Sequence, residues 1–487
     1  MIRAYAVPTV RAVEDAAMAQ VPEGELMARA ARGLAKVARA RLRELGGTRV
    51  VALVGAGNNG GDALYAVARL AKRGYAAAAV VPSQGPVHDG GIQACRKAGV
   101  LVVEGAGDGA AWAAVIDEAE VVLDGITGIG GRPGLRDEAA RWVSAIPEDA
   151  WVIAVDLPSG ADPEGRVAAR HAVVADETVT FGAAKPVHLL GAAAAACGRL
   201  TVIDIGLDFA DAPVAVEQLT HDDVVGMWPI PGADDHKYTR GVVGVVAGST
   251  AYPGAAVLGV LGALGVGPGM VRYTGPDEVK ALVHGHAPEV VTMPGRVQAW
   301  VLGSGVDPAD PHAATSVAAI RSALATHLPA VVDAGALSLL GPGRVGPTVI
   351  TPHAGELAAV LTQLGQPSTR DDIEADPVAA STRAADLLGA HVVLKGAFTL
   401  VVAPTALGQP VRVSSDGPAW LGTAGAGDVL AGMIGTLLAA GLAPRDAASL
   451  AVLVHGVAAT RVSDGGPVRI LDLAHALPRT VASLLRR

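Results

Sequence analysis

Two cysteines in 487 residues exclude a disulfide framework, and Cys95 and Cys197 lack any metal-ligand spacing, so both read as inert buried thiols. Aromatic residues are equally scarce at 3%, so the cores built by the 51% hydrophobic residues must consist of closely packed Ala, Val and Leu. Basic clusters are missing as well. A net charge of −9 without a Lys/Arg surface excludes the phosphate neutralisation that nucleic-acid binding requires, which leaves a small-molecule ligand. Mean hydropathy is high at +0.40, yet the uncharged runs Tyr252 to Val271 and Val429 to Pro444 are broken by glycines and read as buried helices, not membrane spans. Met1 to Glu14 carries Arg3, Arg11 and Glu14 and has no apolar segment of secretory type, so a cytoplasmic protein without membrane association is expected.

What is present is alternation. At this length two to three domains are expected, and two large α/β domains fit best. Between Val10 and Leu45 apolar residues recur at helical spacing, divided by Pro22 and Gly24, which predicts two amphipathic helices for packing or for dimer contact in a homo-oligomer. Strands are then predicted at Arg49–Val54, Ala76–Val81, Val100–Val103, Val121–Leu123, Trp151–Val155 and Glu177–Thr180, with helices at Asp62–Arg73 and His88–Ala98. From Gly206 to Asp235 the pattern loosens into a Pro-, Gly- and Asp-rich stretch, and the boundary is placed there, giving domains over 1–220 and 225–487. A second alternating set follows. Strands are expected at Gly241–Ala247, Ala299–Leu302, Ala330–Val332, Thr348–Ile350, His391–Leu394 and Thr399–Val402, and helices at Ala255–Leu264, Gly355–Leu364 and Val429–Ala440. Both halves therefore read as parallel sheets covered by helices.

Gly55-Ala56-Gly57-Asn58-Asn59-Gly60-Gly61-Asp62 leaves a strand and enters a helix, the context of a dinucleotide fingerprint. A nicotinamide dehydrogenase would carry an acidic residue about twenty positions further on to hold the ribose. Here the next strand runs into Val81-Pro82-Ser83-Gln84, so that binding mode is weakened. Two later loops begin with Asp at a strand end: Asp124 to Gly134, and Asp156-Leu157-Pro158-Ser159-Gly160. Ligands of open α/β sheets sit at such ends, so Asn58, Asn59, Asp124, Asp156 and Ser159 are expected around one pocket. Their oxygens suit a hard cation, and a carboxylate among them suits a general base; turn capping by Asp124 and Asp156 is the plainer alternative.

Gly57 to Asp62, Asp156 to Gly160 and Thr178-Val179-Thr180-Phe181-Gly182-Ala183-Ala184-Lys185-Pro186 resemble the three signatures of the NAD(P)H-hydrate epimerase family, over roughly residues 1–220. The resemblance implies a Rossmann-like three-layer domain. It also implies that Asn58, Asn59, Gly60, Gly61 and Asp62, with Gly128, Ile129, Gly130, Gly131, Arg132, Pro133 and Gly134, contact the hydrated cofactor. Asp156 would bind it and act in epimerisation, and Asn59, Asp124 and Ser159 would hold a potassium ion (K+). The family's usual Gly-Thr-Gly turn reads Gly128-Ile129-Gly130 in this chain.

The second half carries its own glycine-rich turn, Gly422-Thr423-Ala424-Gly425-Ala426-Gly427-Asp428, running into an apolar helix. Backbone N–H groups and the dipole at a helix N-terminus favour an anion there. Asp428 beside such a site suggests a base for a hydroxyl about to meet a phosphoryl group; an ordinary acidic first-turn residue is the alternative. His353, leaving the strand Thr348–Ile350, and Lys395-Gly396-Ala397-Phe398-Thr399, after His391–Leu394, should lie on the same side, although a structural His and a solvated Lys are the plainer readings. A positioned Lys suits phosphate, and the absence of a Gly-Lys-Ser/Thr element excludes a P-loop ATPase.

His236 to Gly241, Gly248-Ser249 with Pro253 to Ala256, Thr351 to Glu356, Lys395-Gly396 and Thr423 to Gly432 resemble the ribokinase-like ADP/ATP-dependent NAD(P)H-hydrate dehydratase family, over about 225–487. The resemblance implies that Lys395, Gly396, Ala397, Phe398, Thr399, Gly425, Ala426 and Gly427 form the adenine-nucleotide site. Ala255, Gly305, His353 and Asp428 would contact the hydrated nicotinamide. The family's Gly-Pro-Gly turn reads Gly303-Ser304-Gly305 here. The expected protein is thus bifunctional, acting on the hydrates of NADH and NADPH with ADP or ATP as cosubstrate and Mg2+ to neutralise phosphate charge. A small-molecule kinase with an N-terminal regulatory domain, and a non-catalytic N-terminal binding module, are its rivals.

Overall fold

Continuous runs of Val, Ala and Leu make the strands, as sheets buried on both faces demand. Arg49–Val54 is covered at every position after Arg49, and Val121–Gly125 and Glu177–Phe181 are covered throughout. The computed structural model describes residues 1–105, 109–166 and 171–486. They group into two compact units, Arg3–Val216 and Glu217–Arg487, the second taking in Met1–Ile2. Among the described residues no helix is long and apolar enough to cross a membrane.

In the unit Arg3–Val216 seven strands form one sheet in the order Leu101–Glu104, Ala76–Val81, Arg49–Val54, Val121–Gly125, Trp151–Val155, Glu177–Phe181, Arg199–Ile203, all parallel. The chain first works outwards from Arg49–Val54 on one side and then returns to the other. The switch of direction opens a crevice beyond the carboxyl ends of Arg49–Val54 and Val121–Gly125. Helices cover both faces. Glu25–Leu45, Asn58–Ala71 and Asp89–Ala98 share one core with the sheet, and Ala110–Asp117 and Asp137–Ser144 share the other. Glu25–Leu45 can lie close because its buried stripe is Ala30, Ala31, Leu34, Ala35, Ala38 and Leu42.

The helix expected from Asp62 starts four residues earlier, at Asn58, because Gly57 with φ 105° sets its entry. Gly60 then passes so near the strand end that an added Cβ would lie 2.2 Å from the Gly55 carbonyl oxygen.

The unit Glu217–Arg487 holds a sheet with strands in the order Val411–Ser414, Thr399–Val402, His391–Leu394, Thr348–Ile350, Ala330–Val332, Ala299–Leu302, Val242–Val246, Met270–Thr274. From His391–Leu394 to Met270–Thr274 the pairing is parallel, and Thr399–Val402 is antiparallel to both of its neighbours. The two uncharged runs are the buried helices Pro253–Gly265 and Ala426–Ala439. They meet backbone to backbone: a Cβ on Gly262 would stand 2.3 Å from the Val429 carbonyl oxygen, and one on Gly432 would stand 2.0 Å from that of Gly259. Small residues thus seat Ala426–Ala439, with the glycine-rich turn at its mouth, against a fixed support.

Candidate active sites

In the unit Arg3–Val216 the crevice at the switch point widens into an open cleft of about 2070 Å3. Asn58, Asn59, Asp62, the whole loop Gly128 to Gly134, and Asp156 line it. Gly60 and Gly61 are buried below that wall; Gly61 packs against the His88 ring, and the place of both is set by close backbone and ring approach. A Cβ on Gly128 would meet Asn59 Oδ1 at 3.1 Å and Asp156 Oδ2 at 3.3 Å, so glycine lets this loop cross directly over those two side chains.

Asp156 follows the strand Trp151–Val155 in the left-handed region, φ 69°, a conformation Asp tolerates better than most residues. Its N–H donates to the Val179 carbonyl at 2.7 Å, and its carbonyl lies 2.8 Å from His188 Nε2. His188 Nδ1 accepts from the Lys185 N–H at 2.9 Å, which puts the ring proton on Nε2. Burial, helped by the Lys185 charge, pushes His188 down to about 4, so the ring is neutral.

The Asp156 carboxylate is clamped. Lys185 Nζ donates to Oδ1 at 2.6 Å and to Thr180 Oγ1 at 2.7 Å, and the Thr180 hydroxyl lies 3.0 Å from the same Oδ1. Burial alone would raise this carboxyl; the Lys185 ammonium and the Thr180 hydroxyl outweigh it and hold Asp156 below the usual carboxylate range. Lys185 itself is 1% exposed. It belongs to the third signature, yet no role attached to it from the sequence. A Lys placed after a buried strand, with no solvent route for its charge, was the available signal.

Asp124 and Ser159 lie behind the cleft wall, both 0% exposed. Ser159 donates its Oγ–H to Asp124 Oδ1 at 2.6 Å and its N–H to Oδ2 at 2.8 Å, while its Oγ accepts from the Thr127 N–H at 2.8 Å. Burial pushes Asp124 up to about 6 despite those bonds. Asn59 Nδ2 and Thr127 Oγ1 are buried nearby without hydrogen-bond partners.

In the unit Glu217–Arg487, Gly425 with φ 92° starts the helix Ala426–Ala439 and sets Asp428 in its first turn. A Cβ on Gly427 would stand 3.1 Å from Lys395 Nζ, so the ammonium lies over the mouth of that helix. Lys395 leaves the strand His391–Leu394 and contacts Asp333 Oδ1 at 3.1 Å and Glu356 Oε2 at 3.6 Å. Burial works against its charge, but Asp333, Glu356 and Asp428 outweigh burial and hold Lys395 above the usual lysine value. Asp333 is 2% exposed and accepts from the Ser304 and Thr351 hydroxyls, each at 2.8 Å.

Burial, reinforced by the Asp333 charge, pushes Asp428 up to about 7, against the pull of Lys395. His353 caps the helix Ala354–Gln363: its Nδ1 accepts from the Glu356 N–H at 3.2 Å and its own N–H donates to Glu356 Oε2 at 2.8 Å. Gly396, Ala397 and Phe398 form the turn before Thr399–Val402. Gly305 with φ 67° packs on Ala255, where a Cβ would meet the Ala255 methyl at 2.6 Å. Asp333 and Glu356 are site residues the sequence reading did not single out. Asp333 obeys the strand-end rule that flagged Asp124 and Asp156, and Glu356 stood inside a quoted motif.

Two family models and curated relatives match the chain. Residues 243–479 match the family model described as NAD(P)H-hydrate dehydratase, and residues 23–187 match the one described as YjeF-related protein N-terminus. The bifunctional NAD(P)H-hydrate repair enzyme Nnr of Mycobacterium leprae is 44% identical over 485 residues, covering 95% of both chains; that of Mycobacterium tuberculosis is 44% identical over 461 residues, covering 91% of both. Among solved structures, the ADP/ATP-dependent NAD(P)H-hydrate dehydratase of Bacillus subtilis, co-crystallised with ATP/Mg2+, is similar at 27% identity and TM-score 0.48, over 54% of this chain and 97% of that one. On the full-length identity the chain belongs to the family of bifunctional NAD(P)H-hydrate repair enzymes.

Proposed function

We propose that the two units divide the repair of hydrated nicotinamide cofactors. Residues 3–216 interconvert the R and S hydrates of NADH and NADPH, and residues 217–487 dehydrate the S epimer at the expense of ADP or ATP. The observation that carries this reading is Asp428, a carboxyl pushed to about 7 in the first turn of a glycine-led helix beneath the Lys395 ammonium. A phosphoryl group needs such cationic and N–H donors, and the hydroxyl that accepts it needs a base poised near neutrality.

The chemistry follows from the substrate. Hydration of the dihydronicotinamide ring leaves a hydroxyl, which is a poor leaving group. Asp428 takes the hydroxyl proton, the oxygen attacks the terminal phosphorus of the nucleotide as the phosphoanhydride bond breaks and AMP or ADP leaves, and Lys395 with the N–H groups of Ala426 and Gly427 holds the charge that develops on the phosphoryl oxygens. Elimination of phosphate, with loss of a proton from the adjacent ring carbon, then restores the double bond. Gly305, packed on Ala255, would offer the nicotinamide a surface without bulk, and His353, held by its bond to Glu356, would contact it. Lys395 to Thr399 supplies the turn for the nucleotide.

Among the described residues no group of three or more His, Cys, Asp or Glu side chains is arranged to hold a metal. Mg2+ at nucleotide sites is held chiefly by the phosphates and water, with one or two carboxylates. Glu356 retains ligand capacity, whereas Asp333 is taken up by Ser304, Thr351 and Lys395. In the other unit Asp124 is a fully buried carboxyl that accepts from Ser159 and Ile126, beside the orphaned hydroxyl oxygen of Thr127 and near the Asn59 side-chain carbonyl under the Gly128 loop. Such an oxygen set suits K+, with Asn59, Asp124 and Ser159 as its holders and the order of the Gly128 loop as its effect.

Product analysis tests the reading against a kinase. Given the S hydrate and ADP or ATP, the protein should release inorganic phosphate and dihydronicotinamide together; a stable phosphorylated product would show a kinase instead.

A further inference from the structure

Among the carboxyls that border the epimerase cleft are Glu14 on the helix Val7–Met18, Asp62 near the start of Asn58–Ala71, and Asp156 at its strand end. Asp156 has an ammonium and a hydroxyl on Oδ1, and its Oδ2 faces Gly128. Asp62 has neither. It is 8% exposed, and its Oδ1 is fully covered with no hydrogen-bond partner.

We propose that Asp62 is the proton donor of epimerisation, and that clamped Asp156 is a fixed negative charge facing the cation formed at the reacting ring. This inference rests on the epimerase reading of the cleft and assigns a step to it. In the hydrate the hydroxyl sits on the ring carbon bonded to the ring nitrogen. Asp62 gives its proton to that oxygen, the carbon–oxygen bond breaks with its electron pair on oxygen, and water leaves. The nitrogen lone pair closes a carbon–nitrogen double bond, which places positive charge on nitrogen. Water then adds to the opposite face of the same carbon, and its released proton returns to the Asp62 carboxylate through solvent. Nothing is oxidised or reduced, and the product is the other epimer.

The environment keeps the donor loaded. Burial, then the negative charges of Asp156 and Glu14, push Asp62 well above the usual carboxylate value. Lys185 and Arg11 act in turn on Glu14, which burial also raises, and His88 lies against the neighbouring Gly61. Two carboxyls driven in opposite directions within one cleft divide naturally into an acid and a permanent anion.

The test is the pH dependence of epimer exchange by the full chain, with wild type and Asp62→Asn, an isostere of the protonated acid. Wild-type kcat should fall tenfold per pH unit above the Asp62 pKa. In D62N kcat should drop roughly 100-fold at neutral pH, with KM for the hydrate within about threefold and the basic limb gone. The same D62N chain should dehydrate pure S hydrate at the wild-type rate. An unchanged kcat, a raised KM at unchanged kcat, or a wild-type profile without a basic limb overturns the proposal; the last needs no variant to fold. Full exchange in D62N with loss in Asp156→Asn would remove Asp62 and leave the epimerase reading standing. A wild-type chain that exchanges epimers no faster than buffer would remove both.

Discussion

Replacing Asp428 by Asn should separate the two activities and at the same time stabilise the fold. The carboxyl stands at about 7 against an ordinary value of 3.8. A shift of roughly three units, at about 1.4 kcal/mol each, makes its ionisation cost up to about 4 kcal/mol, an upper bound because solvent reaches part of the side chain. Below pH 3.8 the folded and unfolded chains both hold the proton, so the cost is absent. Between 3.8 and about 7 the unfolded chain ionises first and stability falls as pH rises; above about 7 the full cost persists. Asp428→Asn should therefore match wild type in unfolding scans at pH 4 and exceed it at pH 8. Loss of a general base should lower nucleotide-dependent dehydration by about 10²- to 10⁴-fold, while epimer exchange is unchanged. In wild type, kcat/KM for dehydration should fall tenfold per unit below about pH 7. Dehydration within tenfold of wild type in D428N would refute the base, and equal loss of both activities would refute the division between units.

Lys185→Met should strand the buried Asp156 carboxylate, lower stability by about 3–5 kcal/mol and remove epimer exchange; an unfolding scan that does not move would show that the pair is no clamp. Exchanging potassium for choline should slow epimerisation, and Ser159→Ala, which removes the hydroxyl shared by Asp124 and Thr127, should abolish the response; a rate indifferent to potassium contradicts the cation assignment. Asp333→Asn removes a charge that raises Asp428, so the acid limb of dehydration should move to lower pH; a fixed limb would show that the two carboxyls are uncoupled.

The sheets were legible because their inner strands are unbroken apolar runs between turn residues, and Arg49–Val54 and Ala330–Val332 needed nothing else. Arg199–Ile203, Met270–Thr274 and Val411–Ser414 escaped: they lie at or near sheet edges and mix Arg, Thr and Ser with their apolar residues. Helix starts were misjudged for a different reason. Asn58-Asn59-Gly60-Gly61 and Ala426-Gly427 are weak helix formers, and what begins those helices is the positive φ of Gly57 and Gly425 together with the close backbone support beneath them. At the sites, strand-end aspartates could be read directly. Lys185 could not be paired with Asp156 from sequence, because the pair exists only once Trp151–Val155 and Glu177–Phe181 lie side by side in the sheet.

The central claim, two cooperating activities in one chain, is tested most directly by incubating the protein with a mixture of R and S hydrates and ADP or ATP, and following dihydronicotinamide absorbance. The account predicts recovery of the whole mixture at an enzymatic rate. Recovery that stops at the S fraction, with the R hydrate left to the spontaneous rate, would contradict it.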